Sequence, residues 1–284
     1  MAASTLRQQK PWVQVASGIV LFFALLFFLA PIVWMFLTSF KTQAEVFSSP
    51  PVLIPNQWNL DNYVRALAPP PVGSNGLAAI RDSSIISIAT ALISVGVGAL
   101  CAYALARYRI GGDNFAFWIL STRMFPPIAT ALPLFLIFRE LKLLDTYGAL
   151  ILANTVFNLP FAIWLLKGFI EDLPKELDEA AVIDGATPFG VFWRIVLPLI
   201  APGLVAALLF AFVFTWNEFL FALLLTRRVV QPLTVVIPSL VGGHEILWGQ
   251  IAAAGTIAIL PGIALALFLQ RYLIRGLTMG AVKS

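Results

Sequence analysis

Histidine, cysteine and charge are all scarce in this chain. His244 is the one histidine and Cys101 the one cysteine. A single cysteine cannot form an internal bridge, which excludes a disulfide scaffold. A single histidine leaves almost no room for a histidine-based metal site or a Ser/His/Asp triad. Charged residues make up 11% of the 284 positions, against about 25% in ordinary globular proteins. The 14 acids and 18 bases are too few to clothe a soluble domain of this length. A soluble enzyme and a disordered protein are therefore excluded. No catalytic residue and no metal ligand is assigned. Basic residues cluster nowhere, so nucleic acid is not an expected partner. No GxxxxGK[ST] phosphate loop occurs, so the chain is not its own ATPase and carries no cofactor site of its own.

What is abundant is apolar length. Hydrophobic residues make up 60% of the chain, and mean hydropathy is +0.91. Residues 11–40, 83–106, 146–166, 195–217 and 246–270 carry no charge, and 114–138 carries only Arg123. A helix needs about 20 apolar residues to cross hydrocarbon. The runs predict an all-α polytopic membrane protein with six transmembrane helices, near 15–38, 84–106, 115–138, 147–167, 201–225 and 251–272. Barrel strands are shorter and alternate, so they do not fit. Arg7 and Lys10 resemble the charged start of a signal peptide, but the run after them is too long. The first span reads as a retained anchor in the bilayer.

Lys and Arg in alternate loops set the orientation. One set holds Arg7, Lys10, Arg107, Arg109, Lys167, Lys175, Arg194, Arg271, Arg275 and Lys283. The smaller set holds Lys41, Arg65, Arg81, Arg139, Lys142, Arg227 and Arg228. The bias places both termini, 107–114 and 168–200 in the cytoplasm, with 41–82 and 226–250 outside. Glu218 is the only acid inside an expected span, and no internal repeat is visible. Ion-coupled carriers usually hold more intramembrane polar groups and inverted repeats. Energy is therefore expected from a separate subunit through a cytoplasmic contact.

The segment 171–200 reads EDLPKELDEAAVIDGATPFGVFWRIVLPLI. The pattern predicts a helix, a turn and a second helix. Pro174 suits the first helical turn. Leu177, Ala180 and Ala181 share a face by spacing. Asp184-Gly185 is a stop, and Thr187-Pro188 restarts the chain with a cap and a first-turn proline. Pro198 and Pro202 bend the entry to the next span. Small residues at the tip (Ala180, Ala181, Gly185, Ala186) permit close approach of another protein, and Glu179 and Asp184 place charge at the rim. From the residues alone, a solvated loop or a helix resting on the membrane surface fits as well.

Glu179-Ala180-Ala181, three residues, Gly185, nine residues, Ile195, one residue and Leu197-Pro198 together resemble the EAA loop of bacterial ABC-importer permeases. Ser121–Pro127 (STRMFPP), Thr215–Leu220 (TWNEFL) and Arg275–Lys283 (RGLTMGAVK) narrow the resemblance to carbohydrate importers, in particular the six-span partner of the maltose-type pair. The resemblance implies a type I ABC-importer permease fold in the bacterial cytoplasmic membrane. It implies a coupling helix whose docking tip is Glu179, Ala180, Ala181, Asp184 and Gly185. The implied partners are a second homologous permease, two ATPase subunits that carry ATP and Mg, and an external sugar-binding protein. Gly276–Lys283 would form a second ATPase contact. The implied organisation is 1–79 (N-terminal tail, first span and external loop), 80–272 (transmembrane core, coupling loop at 171–200) and 273–284 (C-terminal tail). The alternatives are an ion-coupled secondary sugar carrier and a non-transporting membrane scaffold.

Candidates for lining the sugar path are Arg123, Asn154, Asn158, Trp216 and Asn217. Arg123 precedes Pro126-Pro127, and an intramembrane arginine needs a cavity or a partner. It offers donors to sugar hydroxyls or an acidic group, or else forms an internal ion pair or lies on the cytoplasmic side of a span that starts later. Asn154 and Asn158 share a face and suit either sugar hydroxyls or helix bridging. Trp216 suits sugar stacking or interfacial anchoring. Glu218 is expected to pair with Arg227 or Arg228. His244 reads as loop surface and Cys101 as packing. Phe22, Phe23, Phe27 and Phe28 read as lipid-facing bulk. Segment 41–82 is stiffened by Pro50, Pro51, Pro55, Pro69, Pro70 and Pro71, and 226–250 either receives the binding protein or is an ordinary surface loop.

Overall fold

The computed structural model describes residues 11–68, 75–112, 114–241 and 246–281, with side chains in the last helix described through residue 268. The expectations placed on Arg7, Lys10, Pro69, Pro70, Pro71 and His244, and on the side chains of Gly276–Lys283, lie outside the described residues. Every regular element among the described residues is helical. The principal helices are α1 (Pro11–Thr38), α2 (Gly76–Tyr108), α3 (Phe115–Ser121), α4 (Pro127–Glu140), α5 (Tyr147–Glu171), α6 (Glu176–Ile183), α7 (Ala201–Trp216), α8 (Leu220–Leu225) and α9 (Trp248–Ala281).

Four helices are long and apolar enough to cross a membrane: Trp12–Thr38, Gly76–Tyr108, Tyr147–Glu171 and Trp248–Phe268. Two bent pairs bring the count to six if each is one span. Phe115–Met124 and Pro127–Glu140 meet at 87°, and Pro188–Leu199 and Ala201–Trp216 at 78°. This refines two expectations. The run 115–138 is not one straight rod, because Pro126 and Pro127 supply no N–H to continue the ladder. The run 201–225 stops at Trp216 and resumes at Leu220.

Close packing of small residues holds the centre. Ala91, Ala99, Ala102 and Ala106 of α2 meet Ala162 of α5 and Ala207 and Ala211 of α7 in one buried cluster. A Cβ added at Gly98 would lie 3.1 Å from that of Ala162. Lipid tails are as apolar as leucine, so helices associate here through such contact and not through water exclusion. The start of α2 is tighter still. A Cβ at Gly76 would sit 2.2 Å from the Ala66 carbonyl oxygen, so only glycine admits this turn.

The helix α1 stands outside this core, with none of its apolar window buried. Its seat is on α9, where Gly255 leaves room for the Met35 sulfur. Phe22, Phe23, Phe27 and Phe28 are all exposed, as lipid-facing bulk should be. Cys101 is half-buried and packs with Leu105, Ala116 and Ile163.

Candidate functional site

The helix α6 carries the segment read as a docking loop. Glu176, Asp178 and Glu179 occupy its first turn, where carboxylates favour the positive end of the helix dipole. Pro174 lies one residue before the N-cap, Lys175, so it precedes the first turn and is not part of it. At the other end Gly185 has φ +88°. Its N–H donates to the Val182 carbonyl at 3.0 Å, and the Ala186 N–H to that of Ala181 at 2.9 Å. This pair of bonds is a Schellman closure, which needs the left-handed conformation that glycine adopts without penalty. The Thr187 hydroxyl then accepts from the Gly190 N–H at 3.2 Å, and Pro188 opens the next turn. A π-helical turn at Phe192–Val196 leads to the 78° bend.

The expected shared face divides on folding. Ala181 is buried, while Ala180 and Leu177 are exposed. Glu179, Asp184 and Gly185 are exposed with Ala180. Beside them Ile183 is 86% exposed, and Val182, Phe189 and Trp193 are also exposed. The tip thus exposes apolar side chains beside carboxylates.

Two residues that the motif does not mark fix this loop to the bundle. Arg107, at the end of α2, forms an ion pair with Asp178 of α6. Its Nη2 also donates to the Leu173 carbonyl at 3.2 Å. The Arg107 side chain is 6% exposed and that of Asp178 16%, so the pair is a firm attachment. Both charges are plain in the sequence, but only the packing of α2 on the loop brings them together.

Around the end of α7, three consecutive residues each hold a different helix. The Phe214 ring lies under the Arg123 guanidinium at 4.3 Å, and Phe161 of α5 flanks it at 4.9 Å. Thr215 Oγ1 accepts from Asn158 Nδ2 at 3.1 Å. Trp216 Nε1 donates to the Ala258 carbonyl of α9 at 3.0 Å. Arg123 thus has aromatic faces, and the described residues give it no ion pair. Its Nη1 is buried without a hydrogen-bond partner. Asn154 Nδ2 donates to the Leu150 carbonyl at 2.9 Å, and Asn158 Nδ2 also to that of Asn154 at 2.9 Å. Both asparagines are 4% exposed, so in this chain alone their amides serve the helices. Asn217 is exposed and donates to the Val213 carbonyl at 2.8 Å. Trp216 and Asn217 border one cavity of about 430 Å³ between α7, α9 and Leu233–Ile237.

Glu218 corrects an expectation. Its carboxylate accepts from the Phe221 and Ala222 N–H groups at 2.8 and 3.2 Å, and no ion pair links it to Arg227 or Arg228 among the described residues. It caps α8 across the helix break, satisfying N–H groups that the broken ladder leaves free.

The partner of that arginine pair's backbone is instead Asp145. Its carboxylate accepts from the N–H groups of Arg227, Arg228, Val229 and Val230 at 2.9 to 3.2 Å. Burial pushes this carboxyl up, but the four backbone donors together outweigh it and hold it down at about 2. Asp82 Oδ2 accepts from the Gln231 N–H and Ser83 Oγ from the Leu233 N–H, both at 2.9 Å. Three side chains thereby pin segment 227–233 to the bundle.

Comparison with known proteins agrees with this architecture. Residues 94–279 match the family described as "Binding-protein-dependent transport system inner membrane component". The trehalose/maltose transport system permease MalG of Thermococcus litoralis is 37% identical over 259 residues, covering 90% of this chain and 91% of that one. The trehalose transport system permease SugB of Mycobacterium tuberculosis is 38% identical, covering 90% and 92%. A crystal structure of a bacterial ABC transporter involved in import of the acidic polysaccharide alginate superposes with TM-score 0.72 at 25% identity, covering 92% of this chain and 96% of that chain. The chain belongs to the binding-protein-dependent transport system inner membrane components, multi-pass permease subunits of ABC transporters that are not themselves enzymes.

Proposed function

We propose that this chain is one half of the translocation pathway of an ATP-driven sugar importer, coupled to its ATPase through segment 171–200. The observation that carries the reading is the exposed, apolar-tipped α6, closed by Gly185 and tethered by Arg107. A helix that transmits force needs a free docking face and a firm hold on the bundle, and α6 has both. Glu179, Ala180, Ala181, Asp184 and Gly185 form the docking tip, with Ala181 facing the core and the other four exposed.

In this reading a second homologous permease completes the path, and two ATPase subunits hold ATP and Mg. An external binding protein delivers the sugar to the side carrying segment 226–250. Closure of the ATPase dimer draws the docking helices together and turns the cavity outward; hydrolysis returns it inward. Both termini lie in the cytoplasm, on the side of the docking loop. The sugar assignment is supported by the names of the relatives, which are trehalose and maltose systems, and the aromatic and amide groups around Arg123 and Trp216 suit a hydroxyl-rich ligand. Family membership supports this reading over a stand-alone ion-coupled carrier.

The test is purification of the tagged chain from its native membrane. Recovery of a nucleotide-binding subunit and a second permease is expected. A chain that purifies alone and transports sugar on an ion gradient contradicts the proposal.

A further inference from the structure

Two cavities of different character adjoin where α2 and α5 end and α3 begins. One, of about 370 Å³, is lined by Arg107, Arg109, Lys167 and Lys175 with Glu171 as its single carboxylate. The other, of about 490 Å³, is lined mostly by apolar residues, Ala116, Phe117, Trp164, Leu165 and Phe169 with Gly168, and has Asp172 at its edge. Lys167 and Glu171 border both. Trp164, Lys167, Gly168 and Glu171 follow one face of α5, so that face runs from the apolar cavity into the cationic one.

The charge in the first cavity is only partly answered within the chain. Lys167 pairs with Glu171 at 2.5 Å, and Arg107 pairs with Asp178. Arg109 and Lys175 have no ion pair among the described residues. Phe117 and Trp164 are exposed at the apolar rim, at the end of the expected span 147–167, which is headgroup depth.

We propose that the two cavities form a site for one anionic phospholipid, with its phosphate among Arg107, Arg109, Lys167 and Lys175 and an acyl chain along Phe117, Trp164 and Gly168. A soluble phosphate would fill the first cavity and leave the second without an occupant. A neutral lipid would fill the second and leave two cations unanswered. Basic pockets between membrane helices recognise anionic headgroups by this chemistry. The site adjoins the helix read as the ATPase contact: Arg107 tethers that helix and Lys175 is its N-cap, so bound lipid and docking loop share these two residues.

Native mass spectrometry of the purified full chain, with equal amounts of phosphatidylglycerol and phosphatidylcholine of matched acyl chains, tests this directly. Retention of phosphatidylglycerol over phosphatidylcholine is expected. Arg109→Gln with Lys175→Gln should lower that preference about 30-fold, since each basic group near the surface contributes about five-fold. Gly168 is exposed and an added Cβ there meets nothing within 4 Å, so Gly168→Leu should fold, as its melting midpoint checks, and lower retention of both lipids alike. Millimolar inorganic phosphate should leave phosphatidylglycerol in place. Displacement by phosphate would assign the cavity to a free anion and overturn the lipid site. Equal retention of the two lipids, or a preference that survives the double substitution, would overturn it as well.

Discussion

Arg107 and Asp178 join the end of the second span to the helix read as the ATPase contact. Each is largely buried, so neither charge is well solvated without the other. Removing one partner leaves an uncompensated charge, at a cost of about 3 kcal/mol. Arg107→Ala and Asp178→Ala should each lower the melting midpoint of the purified chain and uncouple ATP hydrolysis from transport. A double-mutant cycle measures the shared term, expected at about 1 to 3 kcal/mol. Additive losses would mean that the contact does not hold the loop.

Gly185 is under a conformational constraint and not a steric one. Its φ is +88°, and an added Cβ meets nothing within 4 Å. Gly185→Ala should therefore cost about 1 kcal/mol of local strain and still fold. Gly185→Pro removes the N–H that bonds Val182 and forbids the positive φ. It should abolish coupled ATPase activity while the bundle remains assembled, as read by co-purification.

Asp145 makes segment 227–230 sensitive to acid. Its carboxyl is held near 2, below the ordinary 3.8, so the folded form favours the charged state. That contribution is fully present above about pH 4 and fades as pH falls through about 2. Proteolysis within segment 227–230 should rise over that window in the native chain. In Asp145→Asn it should already be high at neutral pH and change little across the window.

Arg123 is held by the faces of Phe161 and Phe214. A guanidinium stacks flat on a ring where an ammonium does not. If it also meets the sugar, Arg123→Ala should lower sugar-stimulated transport at least several-fold with assembly and basal ATPase intact. Arg123→Lys should restore little of it. Loss of assembly in both variants would make the residue structural.

The legible and illegible parts of this fold divide along a physical line. Charge-free runs disclosed the apolar helices, because bilayer thickness imposes their length. The 87° bend at Pro126-Pro127 was not legible, since a proline pair in lipid kinks or merely punctuates a span according to its neighbours. Glu218 was misassigned to Arg227 or Arg228 because Asn217-Glu218 read as two polar residues near the end of one continuous span and not as the helix break at 217–219. The short helix and its stop at Gly185 were readable, because their spacing is local. Its tether was not, because Arg107 and Asp178 meet only through tertiary packing. Asn154 and Asn158 were correctly placed on one face, yet their bonding to Leu150, Asn154 and Thr215 depends on how α7 lies against α5.

Cross-linking from position 180 tests the central claim most directly. With Cys101 replaced by serine, Ala180→Cys in the assembled transporter should cross-link to the nucleotide-binding subunit, with a yield that changes on ATP addition. Leu141→Cys, on the opposite side of the membrane in this account, should give none. No cross-link from position 180, or equal yields from both positions, would contradict the assignment of α6 as the ATPase contact.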